Sequence, residues 1–253
     1  MEERITSRKN PLLQQVRRLL ASRQERQAAG LFAGDGTKLL EEAVKWKAGL
    51  HAVILADGIV CPALPGGVPV YRVPPDVMQF ISPMKTPQGA LFLCRLPERQ
   101  PLVISPGTVI LDGLQDPGNL GTILRTADAF SIPVILANGC ADPFGWKAVR
   151  ASMGAVFRTP PIQADNEEIL SYCRCNGLPL AVTALSAKAK DIRQAPVHRW
   201  AVVIGSEGHG VCPQFMENCK QSLIIPMSSR CESLNAASAA AIVLWQMRQG
   251  MEI

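Results

Sequence analysis

Thr108-Val-Ile-Leu-Asp112-Gly-Leu-Gln-Asp-Pro-Gly-Asn119-Leu-Gly-Thr-Ile-Leu-Arg125-Thr-Ala-Asp128 reads as an apolar strand, a Gly/Pro-rich turn and a helix in direct succession. Working outward, apolar strand candidates recur at Thr108–Leu111, Ile132–Leu136, Leu178–Val182, Ala201–Ile204 and Ser222–Ile225, each followed by a helical or loop segment. Fully apolar strands alternating with helices predict a mostly parallel sheet covered on both faces. Upstream, residues 96–107 hold Pro97, Pro101 and Pro106 among polar residues and read as a linker.

Ahead of the linker lies a smaller α/β unit of residues 1–96. Asn10-Pro11 is a helix opening, and Leu12, Val16, Leu19 and Leu20 recur at helical spacing until Gly30. A short apolar run (31–33), a helix over 37–47, strands at 51–55 and 68–73, a helix over 75–81 and a strand at 89–95 complete the unit. The expected organisation is therefore 1–96, a linker 97–107, and a domain 108–253.

The 253 residues carry 26 Lys and Arg against 21 Asp and Glu, net +5, with 47% apolar residues, the balance of a folded chain that buries a core. The charge is uneven: residues 1–98 hold 13 basic and 9 acidic side chains, and residues 99–253 hold 13 and 12. The excess is densest around the first helix, at Arg4, Arg8, Lys9, Arg17, Arg18, Arg23 and Arg26. A basic helix ahead of a near-neutral domain suits phosphate contact, with a solvated helix face as the plain alternative. No uncharged run is long enough to span a bilayer and no signal-peptide stretch opens the chain, so a cytoplasmic protein is expected. Eight Cys lie at irregular spacing without a C-x-x-C pair, and the chain has three His, so reduced, buried thiols and no metal site are expected.

Ligands of parallel α/β sheets gather at loops leaving the carboxyl ends of strands. Three such loops are rich in Gly and short polar side chains. In the first, a turn with Gly113, Pro117 and Gly118 presents Asn119, and Arg125 sits on the following helix, suited to a phosphate. The second, Gly205-Ser-Glu207-Gly-His-Gly210, lets backbone approach a ligand where a Cβ would obstruct. It is not a dinucleotide G-x-G-x-x-G, a P-loop or a nucleophile elbow, and Ser206 with His209 within one turn is a poor hydrolase pair. The third, Ile225-Pro-Met227-Ser-Ser-Arg-Cys-Glu-Ser233-Leu-Asn235, runs into an Ala-rich helix over 236–247 that Ser233 is placed to cap.

Asn119-Leu-Gly-Thr-Ile-Leu-Arg125, Ile204-Gly-Ser-Glu207-Gly-His-Gly210 and Ile225-Pro-Met227 with Ser233-Leu-Asn235, in this order and spacing, resemble the three motifs of the SPOUT superfamily, and more closely the SpoU-type tRNA/rRNA ribose 2′-O-methyltransferases. The match runs from about residue 107 to 249. The front unit, with Ile5-Thr-Ser, Asn10-Pro11 and Gly30-Leu-Phe ahead of Gly36, is similar to the L30e-like RNA-binding extension of many members. The resemblance implies an α/β trefoil-knot domain behind an L30e-like domain, S-adenosylmethionine as methyl donor, an RNA substrate and a homodimer.

Carried over residue by residue, the family pattern gives catalytic roles to Asn119, Arg125, Glu207, Ser233 and Asn235. It puts the donor against Thr183, Leu185, Gly205, Ser206, Glu207, Gly208, Ile225, Met227, Ser233, Leu234 and Asn235. RNA contact is expected from Arg8, Lys9, Arg17, Arg18 and Arg125. Ser229 stands where many members have Gly, and Ala237 where many have Ser. Arginine is an odd general base, its pKa lying above about 12, so Arg125 is read first as a clamp for phosphate and developing oxyanion, with proton acceptance open. Ribosomal RNA is expected ahead of transfer RNA, and a non-catalytic RNA-binding dimer is the alternative from another class.

Overall fold

The computed structural model describes residues 2–186, 188–206, 208–228, 230 and 233–251. It divides into two compact units, 1–98 with 142–160, and 99–141 with 161–253.

The first unit contains β1 (Glu2–Arg4), α1 (Pro11–Ala21), α2 (Arg23–Ala29), β2 (Leu31–Asp35), α3 (Thr37–Lys45), β3 (Leu50–Ala56), β4 (Val70–Val73), α4 (Pro75–Ile81) and β5 (Ala90–Arg95). Its sheet has the order β1-β4-β3-β5-β2, with β2 and β3 antiparallel to β5 and the other pairs parallel. Alternation along the buried strand β2 sends Leu31 and Ala33 to one core, with Leu13, Val16 and Leu19 of α1, and Phe32 to the other, with Leu39 and Leu40 of α3. The expected single helix from Pro11 to Gly30 is instead two. Ser22 is extended and its hydroxyl accepts the Glu25 N–H, so a new helix starts there. Arg4, counted with the first helix from its charge, lies in β1, paired with Arg72 across the strands.

Residues 142–160 lie inside the stretch expected as the second domain, yet they pack with the first unit. Here α6 (Trp146–Ala151) and α7 (Ala155–Arg158) supply Val149 and Val156 to the α3-side core, together with Phe144. The Phe32 ring lies tilted against Phe144 with centroids 5.1 Å apart and stacks near Phe157 at 6.2 Å. A nearly buried ion pair joins Arg26 to Asp142, with Nη2 to Oδ2 at 2.6 Å and Nε donating to the same oxygen at 2.8 Å. The apolar α3 face of the sheet is covered by this segment, and burying it is the physical reason for the excursion.

The second unit contains β6 (Val109–Asp112), α5 (Pro117–Ala129), β7 (Val134–Leu136), β8 (Ile162–Gln163), α8 (Asn166–Cys175), β9 (Leu180–Thr183), β10 (Lys190–Asp191), β11 (Ala201–Gly205), α9 (Pro213–Asn218), β12 (Gln221–Ile224) and α10 (Ala236–Gln249). Its sheet is parallel throughout, in the order β10-β12-β9-β11-β6-β7-β8. The five expected strands occur within about two residues of their expected bounds. On one face α8 and α9 bury Ile169, Leu170 and Phe215 against Ile110, Val182 and Val203. Helices α5 and α10 pack on each other, burying Leu120, Ile123, Leu124 and Ala127 of α5 and Ala240, Val243, Leu244 and Met247 of α10.

The seven described cysteines are free thiols. Burial pushes Cys94 up to about 12 and Cys173 up to about 11, which keeps both protonated and inert. Among the described cysteines the buried expectation holds for Cys94 and Cys173, while Cys61, Cys140, Cys212 and Cys219 are half-buried and Cys175 departs from it fully. It is exposed, because two residues along α8 from Cys173 turn the side chain to the opposite face. No helix among the described residues is long and apolar enough to cross a membrane.

Candidate active site

Successive strands are added to one side of β6 as far as β8 and to its other side from β9 onward, so the strand order switches between β6 and β11, the place where loops beyond carboxyl ends of parallel strands bind ligands. Beyond the ends of β12, β9 and β11 lies a cavity of about 390 Å³, predominantly apolar in its walls. Thr183 and Leu185 come from the end of β9, Gly205 and Ser206 from the end of β11, Ile225 and Met227 from beyond β12, and Ser233 and Leu234 from the approach to α10. Six residues read from the second and third motifs thus line one space with Thr183 and Leu185, while Asn119 and Arg125 of the first motif are not among the wall residues. Gly208 and Asn235 are not among the wall residues, and Glu207 and Ser229 lie outside the described residues.

Each wall is held by hydrogen bonds to backbone groups. Gly205 ends β11, and the loop after it folds back tightly: Ser206 N–H donates to the Gly210 carbonyl at 3.1 Å, and Gly210 N–H to the Ser206 carbonyl at 2.9 Å. A Cβ on Gly205 would fall 2.1 Å from the Gly210 carbonyl carbon and 2.3 Å from the Val211 nitrogen, so only glycine fits. The far end of the loop is tied to β6, where the buried Asp112 carboxylate accepts the Cys212 N–H at 2.7 Å. Thr183 Oγ1 donates to the Val203 carbonyl at 3.3 Å, fixing the end of β9 beside β11.

The first and third motifs meet side chain to side chain. Asn235 caps α10, its Oδ1 accepting the Ala237 and Ser238 N–H groups at 3.0 and 3.3 Å, while its Nδ2 donates to Asn119 Oδ1 at 3.1 Å. Asn235, not Ser233, is therefore the helix cap, since it is the residue adjoining the first turn with its amide oxygen in reach. Asn119 sits inside the first turn of α5 rather than in the turn before it, because Asp116 caps that helix and accepts the Asn119 N–H at 2.7 Å. Ala237 follows the cap directly and its N–H is one of the two that Asn235 holds.

Arg125 is exposed and makes no ion pair or hydrogen bond among the described residues. Six residues of helix separate it from Asn119, about 9 Å along α5 and about 120° around it. The structure therefore joins Asn119 to Asn235 and gives Arg125 a solvent-facing position on the same helix. Of the other basic residues, Arg8 pairs with Asp76 at 2.9 Å and Arg18 with Glu25 at 3.5 Å, and Arg17 lies 4.3 Å from the Phe80 ring centroid. Lys9 is exposed.

Several wall residues carried no sequence signal as ligand contacts. His209, dismissed as half of a hydrolase pair, lines the cavity, as do Met216, Ala236 and Ala239. The i, i+3 spacing of the two alanines in an Ala-rich helix was the available clue; Met216 offered none. Among the described residues no group of three His, Cys, Asp or Glu side chains is placed to hold a metal.

A bent adenosyl donor needs apolar walls for its base, backbone groups for its polar edges and close approach at a glycine, and the cavity offers all three. Comparison with known proteins agrees with this geometry. Residues 106–245 match the SpoU rRNA Methylase family and residues 10–91 the MRM3-like substrate binding domain. The chain is 31% identical to the Bacillus subtilis (strain 168) 23S rRNA (guanosine(2553)-2′-O)-methyltransferase RlmP over 97% of its own length and 99% of that protein's. An AdoMet-bound rRNA methyltransferase from Sinorhizobium meliloti superposes with a TM-score of 0.86 at 29% identity, covering 100% of this chain and 99% of that one. A solved RNA 2′-O ribose methyltransferase gives 0.83 at 30% identity over 98% of both chains. With a family model spanning more than half its length and a relative alike from end to end, this chain belongs to the SpoU rRNA methylase family.

Proposed function

We infer that this protein transfers a methyl group from S-adenosylmethionine to a ribose 2′-hydroxyl of RNA, with ribosomal RNA as substrate. The observation that carries the reading is that the second and third motifs line one cavity while the Asn119–Asn235 bond joins the first motif to the third. The Bacillus subtilis relative and the Sinorhizobium structure, both named as rRNA methyltransferases, support the ribosomal substrate.

When bound, S-adenosylmethionine supplies an electrophilic methyl group on a positively charged sulfur. The chain's own residues do the rest. Gly205, Ile225, Met227 and Leu234 hold the base and ribose by shape and backbone, with Thr183 and Leu185 closing the side of the cavity. Ser206 and Ser233 add hydroxyls, and Asn119 with Asn235 locks the entrance to α10. Arg125 binds the phosphate beside the target ribose and stabilises negative charge developing on its oxygen. Holding the hydroxyl in line with the methyl carbon supplies much of the acceleration. Glu207 belongs to the same proposal from its place in the second motif.

Residues 1–96 are proposed as the RNA-binding domain, 97–107 as linker and 108–253 as the methyltransferase domain, supported by the two family matches. Arg8, Lys9, Arg17 and Arg18 remain the basic residues of the first, with Arg17 ordered on Phe80. A cytoplasmic location fits an rRNA substrate and a chain whose described helices do not cross a membrane.

The decisive test is alkaline hydrolysis of ribosomal RNA from cells with and without the protein, where a 2′-O-methyl group leaves one linkage uncut. A single missing band present only with the protein is expected. Arg125→Ala should lower transfer by about 10²–10³-fold, the effect of removing one charge-stabilising donor, with S-adenosylmethionine affinity unchanged. Loss of donor binding instead would refute the clamp role.

A homodimer is part of the reading. Ile242 and Trp245 lie one turn apart on α10 and are 40% and 53% exposed, and Trp245 lies 5.7 Å from the Phe130 ring. Aromatic residues on an otherwise packed helix suit an interface core. Trp245→Glu is expected to convert a dimer to monomer in sedimentation equilibrium; an unchanged mass would place the interface elsewhere.

A further inference from the structure

Residues 1–96 hold five aromatic side chains with a face to offer a base: Phe32, Trp46, Tyr71, Phe80 and Phe92. Phe32 and Phe92 are fully inside the core, Tyr71 packs against the α1-side core, and Phe80 is covered by Arg17 and Arg8. Trp46 alone of the five is exposed, at 45%.

Its surroundings are cationic. It stands in Lys45-Trp-Lys47, with both lysines exposed. Lys45 Nζ lies 5.7 Å from the indole centroid and the Arg158 guanidinium 5.6 Å. The backbone that carries the indole is also held in place. Trp46 is the C-cap of α3, its backbone N–H donating to the Glu42 carbonyl at 3.0 Å, and Arg158 beside the ring is fixed by Glu42 Oε2 at 2.6 Å. The turn carrying Gly154 presses on the same glutamate, a Cβ there falling 3.0 Å from Glu42 Cβ. A rigid ring loses little freedom on binding, and a flat π-face ringed by cations is how single-stranded nucleic acid is held without reading its sequence.

We propose that Trp46 is a stacking platform for an unpaired RNA base, with Lys45, Lys47 and Arg158 holding the flanking phosphates. This rests on the RNA-methyltransferase reading above and names a contact that recognises splayed, single-stranded RNA rather than duplex. A second copy of the chain is a poorer occupant, because a two-fold contact would bring like charges together. The exposed Trp245 contrasts with it, lying against Phe130 instead of cations.

The test uses the full-length protein, a fluorescein-labelled uridine decamer and a blunt RNA duplex of the same length. Trp46→Ala should weaken decamer binding by roughly 5- to 100-fold, the range for losing one base–aromatic stack. Trp46→Phe should stay within about threefold, and duplex binding should be unaffected by either. Donor affinity and molecular mass should match the parent protein in both variants. Equal decamer affinity in the parent and Trp46→Ala proteins overturns the platform while leaving the enzyme reading intact, provided the parent still methylates ribosomal RNA. A changed mass would assign the surface to subunit contact and also overturn it. A parent protein that neither binds nor methylates RNA overturns both readings together.

Discussion

Gly205→Ala is expected to lower methyl transfer by at least about a hundredfold, the scale for an ångström-sized displacement at a reacting centre, while Gly208→Ala leaves it near the parent rate. The two glycines sit in one loop but meet different surroundings. A Cβ at Gly205 would overlap the Gly210 carbonyl and the Val211 nitrogen, both backbone atoms that no rotamer can move, whereas a Cβ at Gly208 meets nothing within 4 Å. The Ser206–Gly210 bridge must therefore open in the first variant, and with it the cavity wall formed by Gly205, Ser206 and Gly210. Donor binding by isothermal titration and transfer into ribosomal RNA are the two measurements. If Gly205→Ala binds donor like the parent protein, the fold-back of this loop is not what shapes the site.

Asp142→Ala is expected to cost roughly 3–5 kcal/mol of stability, the penalty for stranding one partner of a buried ion pair. Arg26 and Asp142 side chains are 7% and 14% exposed, so the abandoned guanidinium cannot recover its hydration. Arg26 also donates to the Leu19 carbonyl, and Asp142 Oδ1 accepts the Phe144 N–H at 3.0 Å, so the pair fastens α1, α2 and the start of residues 142–160 at one point. The exposed Arg174–Glu167 pair is the control, since Glu167→Ala should change stability by about 0.5 kcal/mol or less. Removing both Arg26 and Asp142 should cost less than the two single changes summed. Urea unfolding of the four proteins provides the cycle. An Asp142→Ala cost no larger than that of Glu167→Ala would mean that residues 142–160 are held by their apolar contacts alone.

Legibility in the sequence follows how local each determinant is. The five apolar strands of the second sheet, the helix after Asn10-Pro11 and the Ala-rich final helix were readable because strand burial and helix caps act over a few residues. Ser22 was not, since a serine within a helical pattern breaks it only when its hydroxyl wins the competition for a nearby N–H. Glu2–Arg4 was not, because three charged residues carry no alternation and become a strand only by pairing with β4.

The sequence by itself determined that this is an α/β protein with two kinds of unit, where its three polar loops fall and which family motifs they match. The tertiary structure alone decided which side chains meet. Asn119 and Asn235 are 116 residues apart, and their bond depends on α5 and α10 packing together, which no local pattern encodes. It also decided that Phe144, Val149 and Val156 complete the core of the unit they do not adjoin in sequence. Their apolarity was visible, but an apolar residue specifies only that it be buried, and the choice of partner belongs to whichever complementary face the folded chain leaves uncovered.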